Sequence, residues 1–266
     1  MLALSLAKKF NSHVTVVHVV THEFMHPELK AQYKLPPSIM EKVDNTYLDA
    51  GKKIIRMAEE MFTEAGIDVD ARLLKSEDPA EVVLKLVKDE NFGLVVIGNR
   101  AETQAELHSL GSVTEKVARY AECPVLIIKQ KPKVEKILAA VDGSKHADKA
   151  LEYAVALAKH YSANLALVHV EEDKLIRIGG PQVVDCLGTV GECILKDAAT
   201  KARGMEFDKV LKFGSPAETI IKVAKKADVD IIVVGSRGLS SVQRFLLGSV
   251  SDDISMHSRS SVLIVK

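Results

Sequence analysis

Gly235, Gly238 and Gly248-Ser249 are spaced so that main-chain amides could meet a phosphate. Ile231-Ile232-Val233-Val234 reads as a strand, which makes Gly235-Ser236-Arg237-Gly238 the turn at its carboxyl end, where ligands settle in open parallel sheets. Glycine there removes the Cβ that would hold an anion off the main chain. Nine residues further on, Gly248-Ser249-Val250-Ser251 opens a helix, with Ser249 expected as its cap and Asp252 three residues later. A helix N-terminus offers free N–H groups and the positive end of a dipole. The same residues also fit a glycine-rich loop followed by an ordinary helix cap, and spacing alone leaves both readings open.

Other chemistries find less support. Neither a Walker A sequence nor G-x-G-x-x-G is present, and no Ser/His/Asp arrangement has supporting context. His18 and His169 end apolar strands, where a hydrogen-bonded structural role is expected rather than catalysis. His22-Glu23-Phe24-Met25-His26 spells the zinc-protease motif, but that motif must lie in a helix. Here it follows a strand directly and Pro27 comes next, so no catalytic metal is expected and only incidental metal binding remains open. Cys123, Cys186 and Cys193 match no zinc or redox spacing.

The elements that must position these residues occur twice. Leu94-Val95-Val96-Ile97-Gly98-Asn99-Arg100 matches Ile231 to Arg237, and Leu110-Gly111-Ser112-Val113 matches Leu247 to Val250. Val125 to Lys129 matches Val262 to Lys266, and Asp78-Pro79-Ala80-Glu81 matches Ser215 to Glu218, all at one offset of 137 positions. Earlier the offset is 151, pairing Ala3 to Lys8 with Ala154 to Lys159 and His18-Val19 with His169-Val170. The first copy therefore carries 14 extra residues, placed between Thr21 and Met40. Lys129 to Lys133 is polar and broken by proline, so the boundary is set between an N-terminal domain, 1–131, and a C-terminal domain, 132–266.

The second copy reads as alternating strands and helices. Lys136 to Val141 is a buried strand ending in the turn Asp142-Gly143-Ser144, and a helix bearing Leu151, Ala154, Val155 and Leu157 follows. Leu165 to Val170, Phe207 to Phe213, Ile231 to Val234 and Val262 to Val265 are the remaining strands. Helices are expected over Val183 to Ala202, weakened by Gly188 and Gly191, and after the capping box Ser215-Pro216-Ala217-Glu218. This order predicts an α/β fold with a doubly wound parallel five-stranded sheet in each copy. In the first copy Met1 aligns with Glu152, so the opening strand and its Asp-Gly turn have no counterpart. That strand is central in such sheets, and its lack should expose apolar surface. Either the native start lies upstream or the first copy tolerates the gap. An intact native mass beginning at Met1 would exclude the former.

Gly235-x2-Gly238-x9-Gly248-Ser249 resembles the ATP-binding signature of the universal stress protein family, and Ala140-Val141-Asp142-Gly143-Ser144 is similar to that family's opening motif. The resemblance spans nearly the whole chain as two tandem copies. It implies a Rossmann-like fold of the adenine nucleotide alpha hydrolase type. It further implies that Ala140, Val141, Asp142 and the main chain of Val170 hold the adenosine part of ATP or AMP. Gly235, Ser236, Arg237 and Gly238, with Gly248, Ser249, Val250 and Ser251, would then wrap the ribose and phosphates, Mg²⁺ sharing the phosphate charge. The first copy departs from the pattern, because Ala101 replaces the second glycine. Weak or no binding is expected at Val19, Gly98, Asn99, Arg100, Gly111 and Ser112, while Ser112 to Glu115 reads as a structural capping box.

Lys plus Arg equals Asp plus Glu, 36 each, which gives no electrostatic reason to expect a nucleic acid or an anionic membrane as partner. No signal peptide or membrane-length apolar run is visible, and a cytoplasmic protein is the natural reading. The functional expectation is a nucleotide-binding stress-response regulator. A slow ATPase or nucleotide-dependent transferase in the same cleft, and a non-binding scaffold, stay open as alternatives. No general base or carboxylate pair flanks the glycines, so fast hydrolysis is not expected. In the resembling family the last strand forms dimers, which implies a homodimer or a pseudo-dimer through Val125 to Ile128 and Val262 to Val265.

Overall fold

β-Branched runs bounded by turn residues become strands, and amphipathic stretches between them become helices, in strict alternation through most of the chain. The computed structural model describes residues 2–21, 36–99, 110–129, 134–172, 176–202, 204–238 and 247–266. In space the chain divides into two compact units, Met1–Leu86 and Val87–Lys266, a division that falls inside the first repeat. The zinc-protease motif, Arg100, Ala101 and the polar stretch 130–133 lie outside the described residues.

The first unit begins with α1 (Leu2–Phe10), β1 (Val14–Val20), α2 (Pro37–Glu64) and β2 (Val69–Lys75). β1 and β2 form a parallel two-stranded sheet in the register Val14 to Val69 through Val20 to Lys75. α2 packs on it through Gly51, Ile55 and Phe62, all buried. α3 (Pro79–Glu90) runs across the division between units, and Asp78 caps it, Oδ1 accepting from Ala80 N at 3.0 Å.

The second unit continues with β3 (Val95–Gly98), α4 (Ser112–Tyr120) and β4 (Val125–Ile128). The second repeat follows as β5 (Lys136–Ala140), α5 (Lys145–Tyr161), β6 (Asn164–Glu171), α6 (Ile176–Lys201) and β7 (Phe207–Phe213). It closes with α7 (Pro216–Ala227), β8 (Ile231–Gly235), α8 (Ser249–His257) and β9 (Ser261–Val265). Its five strands run parallel in the order β7-β6-β5-β8-β9, with the opening strand β5 in the middle. β8 and β9 are buried along their whole length, which explains why they read as unbroken apolar runs. The expected α/β alternation is therefore present.

β9 then pairs antiparallel with β4, and β4 pairs with β3, extending the sheet to seven strands. Leu126 faces Leu263, its own counterpart in the repeat, while Val125 faces Ile264 and Ile127 faces Val262. Equivalent residues thus pair about a local pseudo-twofold axis, as in an isologous dimer. The expected joining of the last strands occurs within the chain, and it leaves neither β4 nor β9 with an open edge.

Among the described residues the first repeat has four strands, divided between the two sheets: β1 and β2 in one, β3 and β4 in the other. The missing partner is the central strand, which in the second repeat sits between β6 and β8. The exposure expected from this lack is present, since β1, β2 and β3 are half-buried or exposed at every position but Val20. Among the described residues β1 has a ladder on one edge, whereas β6 has one on each. In native-state hydrogen exchange, amides of Val14–Val20 should show protection factors at least roughly tenfold below those of Asn164–Glu171. Equal protection would overturn this account of β1.

α6 starts earlier than the sequence suggested and runs unbroken past Gly188 and Gly191. Gly191 has a packing reason to be there. A Cβ on it would stand 2.5 Å from Leu211 Cδ1 and 3.0 Å from His169 Cδ2. Gly51 of α2 lies over β1 in the same way, its Cβ position 2.9 Å from Leu73 Cδ1 and 3.2 Å from His18 Cδ2. The helix glycine over a strand histidine is thus another repeated feature.

Candidate functional site

At the carboxyl end of the central strands of the second repeat, β5 gives way to Val141, buried, and then to the turn at Asp142. Asp142 Oδ1 accepts from Ser144 N at 2.9 Å, and Gly143 takes φ +79°, a conformation that suits glycine. Ser144 caps α5, its Oγ accepting from Ala147 N at 3.1 Å, and the same hydroxyl donates to Arg237 O at 3.4 Å. The aspartate turn is thereby tied to the glycine turn after β8.

The glycines there are required by crowding. A Cβ on Gly235 would lie 2.7 Å from His146 C and 2.9 Å from Ala147 N, so its absence lets β8 close on the first turn of α5. A Cβ on Gly238 would lie 2.7 Å from Asp142 Oδ2. Gly238 is not among the positive-φ glycines, so its closeness to Asp142, and not backbone handedness, is what a Cβ at this position would violate. A Cβ on Gly248 would meet Ser236 O at 3.2 Å and Arg237 Cα at 3.4 Å, and Gly248 N donates to Ser236 O at 2.8 Å.

The cap of α8 differs from expectation. Gly248, at φ −67° and ψ 149°, is the N-cap, and among the described residues no side chain bonds to the amides behind it. Ser249 is the first helical residue rather than the cap. Ser251, buried, donates to Ser236 O at 3.2 Å and Gly248 O at 3.0 Å. The first turn of α8 thus presents main-chain amides that no hydroxyl among the described residues has claimed, beside the turn Ser236-Arg237-Gly238. α7 departs similarly: Ser215 is its N-cap before Pro216, yet makes no side-chain cap bond.

Val170 completes the rim. β5 pairs with β6 as far as Ala140 and Val168, and Val141 N donates to Val168 O at 2.9 Å. On the other side Gly214 N donates to Glu171 O at 2.9 Å. Because strand residues alternate in direction, the N–H and C=O of Val170 point as those of Val168 do, past the point where β5 has ended. His169 is buried, with Nδ1 2.7 Å from Val141 O and Nε2 3.1 Å from Glu171 Oε1, the structural role expected for it. His146, in the first turn of α5, was not anticipated. Burial, with the charges of Arg237 and Lys149, pushes its pKa below the ordinary histidine value against the pull of Asp142.

In the first repeat, Gly98, Asn99, Gly111 and Ser112 lie in the second unit, whereas Val19 is on β1 in the first. Gly111 is the N-cap of α4, again with no side-chain cap bond, so Ser112 to Glu115 is not a capping box. Gly111 N reaches the side chain of Asn99 at 3.3 Å, where Gly248 N reaches a main-chain carbonyl, and Thr114 Oγ1 donates to Gly98 O at 3.2 Å. Among the described residues no atom lies within 4 Å of a Cβ position on Gly98, whereas the start of α5 crowds Gly235.

Contacts across the β4–β9 joint escaped sequence reasoning. Lys129 Nζ donates to Met256 O at 3.0 Å and Ser258 O at 2.8 Å, capping the end of α8. Its counterpart Lys266 donates to Ala118 O at 2.7 Å, capping α4. Their shared repeat position was the available signal. Arg119 Nη2 bonds both oxygens of Asp252, at 3.1 and 2.9 Å, and these hydrogen bonds, with the carboxylate's charge, raise the pKa of the guanidinium.

Burial lowers the Lys129 pKa from an ordinary 10.5 to about 8. Between those values the unfolded chain holds a proton that the folded chain has released, so stability gains from this group as pH rises. The urea midpoint of the wild type, relative to Lys129→Met, should therefore increase between pH 8 and pH 10. A constant difference would sink the assignment.

The sequence model of the universal stress protein family matches residues 2–129 and again 133–266. The chain belongs to the universal stress protein family. Universal stress protein YxiE of Bacillus subtilis (strain 168) is 35% identical over 145 residues, which is 49% of this chain and 98% of that protein. A putative universal stress protein of Staphylococcus haemolyticus (strain JCSC1435) is 36% identical over 137 residues, 49% of this chain and 83% of its own. Among solved structures, a universal stress protein from Archaeoglobus fulgidus DSM 4304 matches at TM-score 0.68 and 24% identity, covering 99% of this chain and 89% of that one. A putative universal stress protein from Pseudomonas aeruginosa UCBPP-PA14 matches at TM-score 0.73 and 16% identity, covering 100% and 86%. These two likenesses bear on the fold. Among the described residues no helix is long and apolar enough to cross a membrane, and no group of three or more His, Cys, Asp or Glu is placed to hold a metal.

Proposed function

We propose that the second repeat binds an adenine nucleotide, ATP or AMP, and that the protein acts as a nucleotide-dependent stress-response regulator in the cytoplasm. The reading rests on one observation: Asp142, Gly238 and the unclaimed amides of α8 meet at the carboxyl end of the sheet. Asp142 and the main-chain groups of Val170 that point past the end of β5 suit hydrogen bonding to the adenosine part, and Ala140 and Val141 form the floor. Phosphates are met by amides of Ser249, Val250 and Ser251 and by the turn Gly235 to Gly238, with Gly248 leaving the approach open. Mg²⁺ rides on the phosphates and needs no protein cage. The described residues of the first repeat hold no counterpart of the aspartate turn, and that repeat is assigned an assembly role.

Calorimetric titration of the full chain with ATP, ADP, AMP and adenosine tests the reading and chooses among the nucleotides. One strong site per chain is the expected result. Failure of all four ligands to bind or to raise the melting temperature would leave the scaffold reading. Phosphate release above that of a Gly248→Val control would move the assignment to a slow ATPase.

A further inference from the structure

We propose that the first repeat sets the phosphate affinity of the second-repeat site by holding α8 at both ends, with Arg119 and Lys129 as positioning residues; this rests on the nucleotide reading above. Asp252 lies in the first turn of α8, close behind the amides that face the ligand. A carboxylate there suits the helix dipole but repels a phosphate. Arg119 of α4 grips both of its oxygens, at 3.1 and 2.9 Å, with the two side chains 29% and 27% exposed. Nη2, bonded to both oxygens, offsets the charge and fixes the turn that carries it. At the far end Lys129, 7% exposed, takes the carbonyls of Met256 and Ser258, which have no partner within the helix.

Both grips come from the first repeat. The β4–β9 ladder delivers them, since α4 leads into β4 and Lys129 follows it. Neither residue belongs to the ligand-facing turns. A repeat whose own glycine pattern is degenerate thus still acts on the partner site, through the helix they share. Glu115 also reaches Arg119, at 3.3 Å, so Arg119 pairs with one carboxylate from each repeat.

Calorimetry on the full chain with ATP and with adenosine, which lacks phosphate, reads this directly. Arg119→Met should weaken ATP roughly three- to tenfold and leave adenosine unchanged. Lys129→Met should weaken ATP in the same direction. Adding Asp252→Asn to Arg119→Met should restore ATP affinity by removing the exposed carboxylate, and Arg119→Lys should retain most of it. Unchanged ATP affinity in Arg119→Met, or equal losses for ATP and adenosine, would overturn the proposal. Ligand-free hydrogen exchange at Asp252 to Ser255 separates the two levels. If the wild type binds nothing, the nucleotide reading falls and the affinity proposal with it, even where exchange quickens in Arg119→Met. If ATP binds the wild type but neither exchange nor affinity moves in the variant, the nucleotide reading stands and the clamp is wrong.

Discussion

Gly248→Val is expected to weaken ATP binding roughly ten- to a hundredfold, the cost of forcing a side chain into occupied space. The main chain at Gly248, φ −67° and ψ 149°, is open to valine, so no backbone strain enters. Crowding carries the whole effect. A Cβ there already stands 3.2 Å from Ser236 O and 3.4 Å from Arg237 Cα, and both are main-chain atoms of the opposing turn. The branched methyl groups reach further and press apart the turn and the helix start that must close together on an anion. Calorimetry with ATP checks this, with circular dichroism to show that the fold is kept. An unaltered dissociation constant in a folded variant would remove Gly248 from the site.

Gly235→Ala is expected to lower folding stability by about 2–3 kcal/mol, measured by urea denaturation, through overpacking. Its Cβ would lie 2.7 Å from His146 C and 2.9 Å from Ala147 N, and the start of α5 cannot move without pulling on the Ser144 cap. The repeat supplies its own control. Gly98→Ala places the same methyl where the described residues leave at least 4 Å, and should change stability by no more than about 0.5 kcal/mol. Similar losses at both positions would mean that the two strands lose something other than space.

The second repeat was largely legible because its signals are local. Apolar runs such as Ile231 to Val234 named the strands, and turn residues such as Asp142-Gly143 named their ends. The half-buried state of β1, β2 and β3 also followed from one shift of alignment, which pairs no described residue with β5. Helix caps were misread for a specific reason. Serine beside glycine invites the hydroxyl as N-cap, yet Gly248 and Gly111 take the extended cap conformation and push Ser249 and Ser112 into the helix. Gly235 and Gly191 were recognisable as glycines but not by role, since each answers to an atom brought near only by folding. Arg119 gave no signal, and Lys129 only its shared repeat position with Lys266. Their partners lie more than a hundred positions away and meet them only once β4 and β9 are in register.

The pairing of Leu126 with Leu263 has a consequence for what the molecule can evolve. In a dimer of identical chains, any change on one side of the axis is copied on the other. Here both sides are written separately along a single polypeptide, so a change is made once. The grip of Arg119 on Asp252 uses that freedom: its mirror image would join Met256 to Glu115, and methionine offers no charge. One half can therefore lose its own pocket and keep the cationic hand that steadies the other, an inequality that two identical subunits related by a strict twofold could never encode.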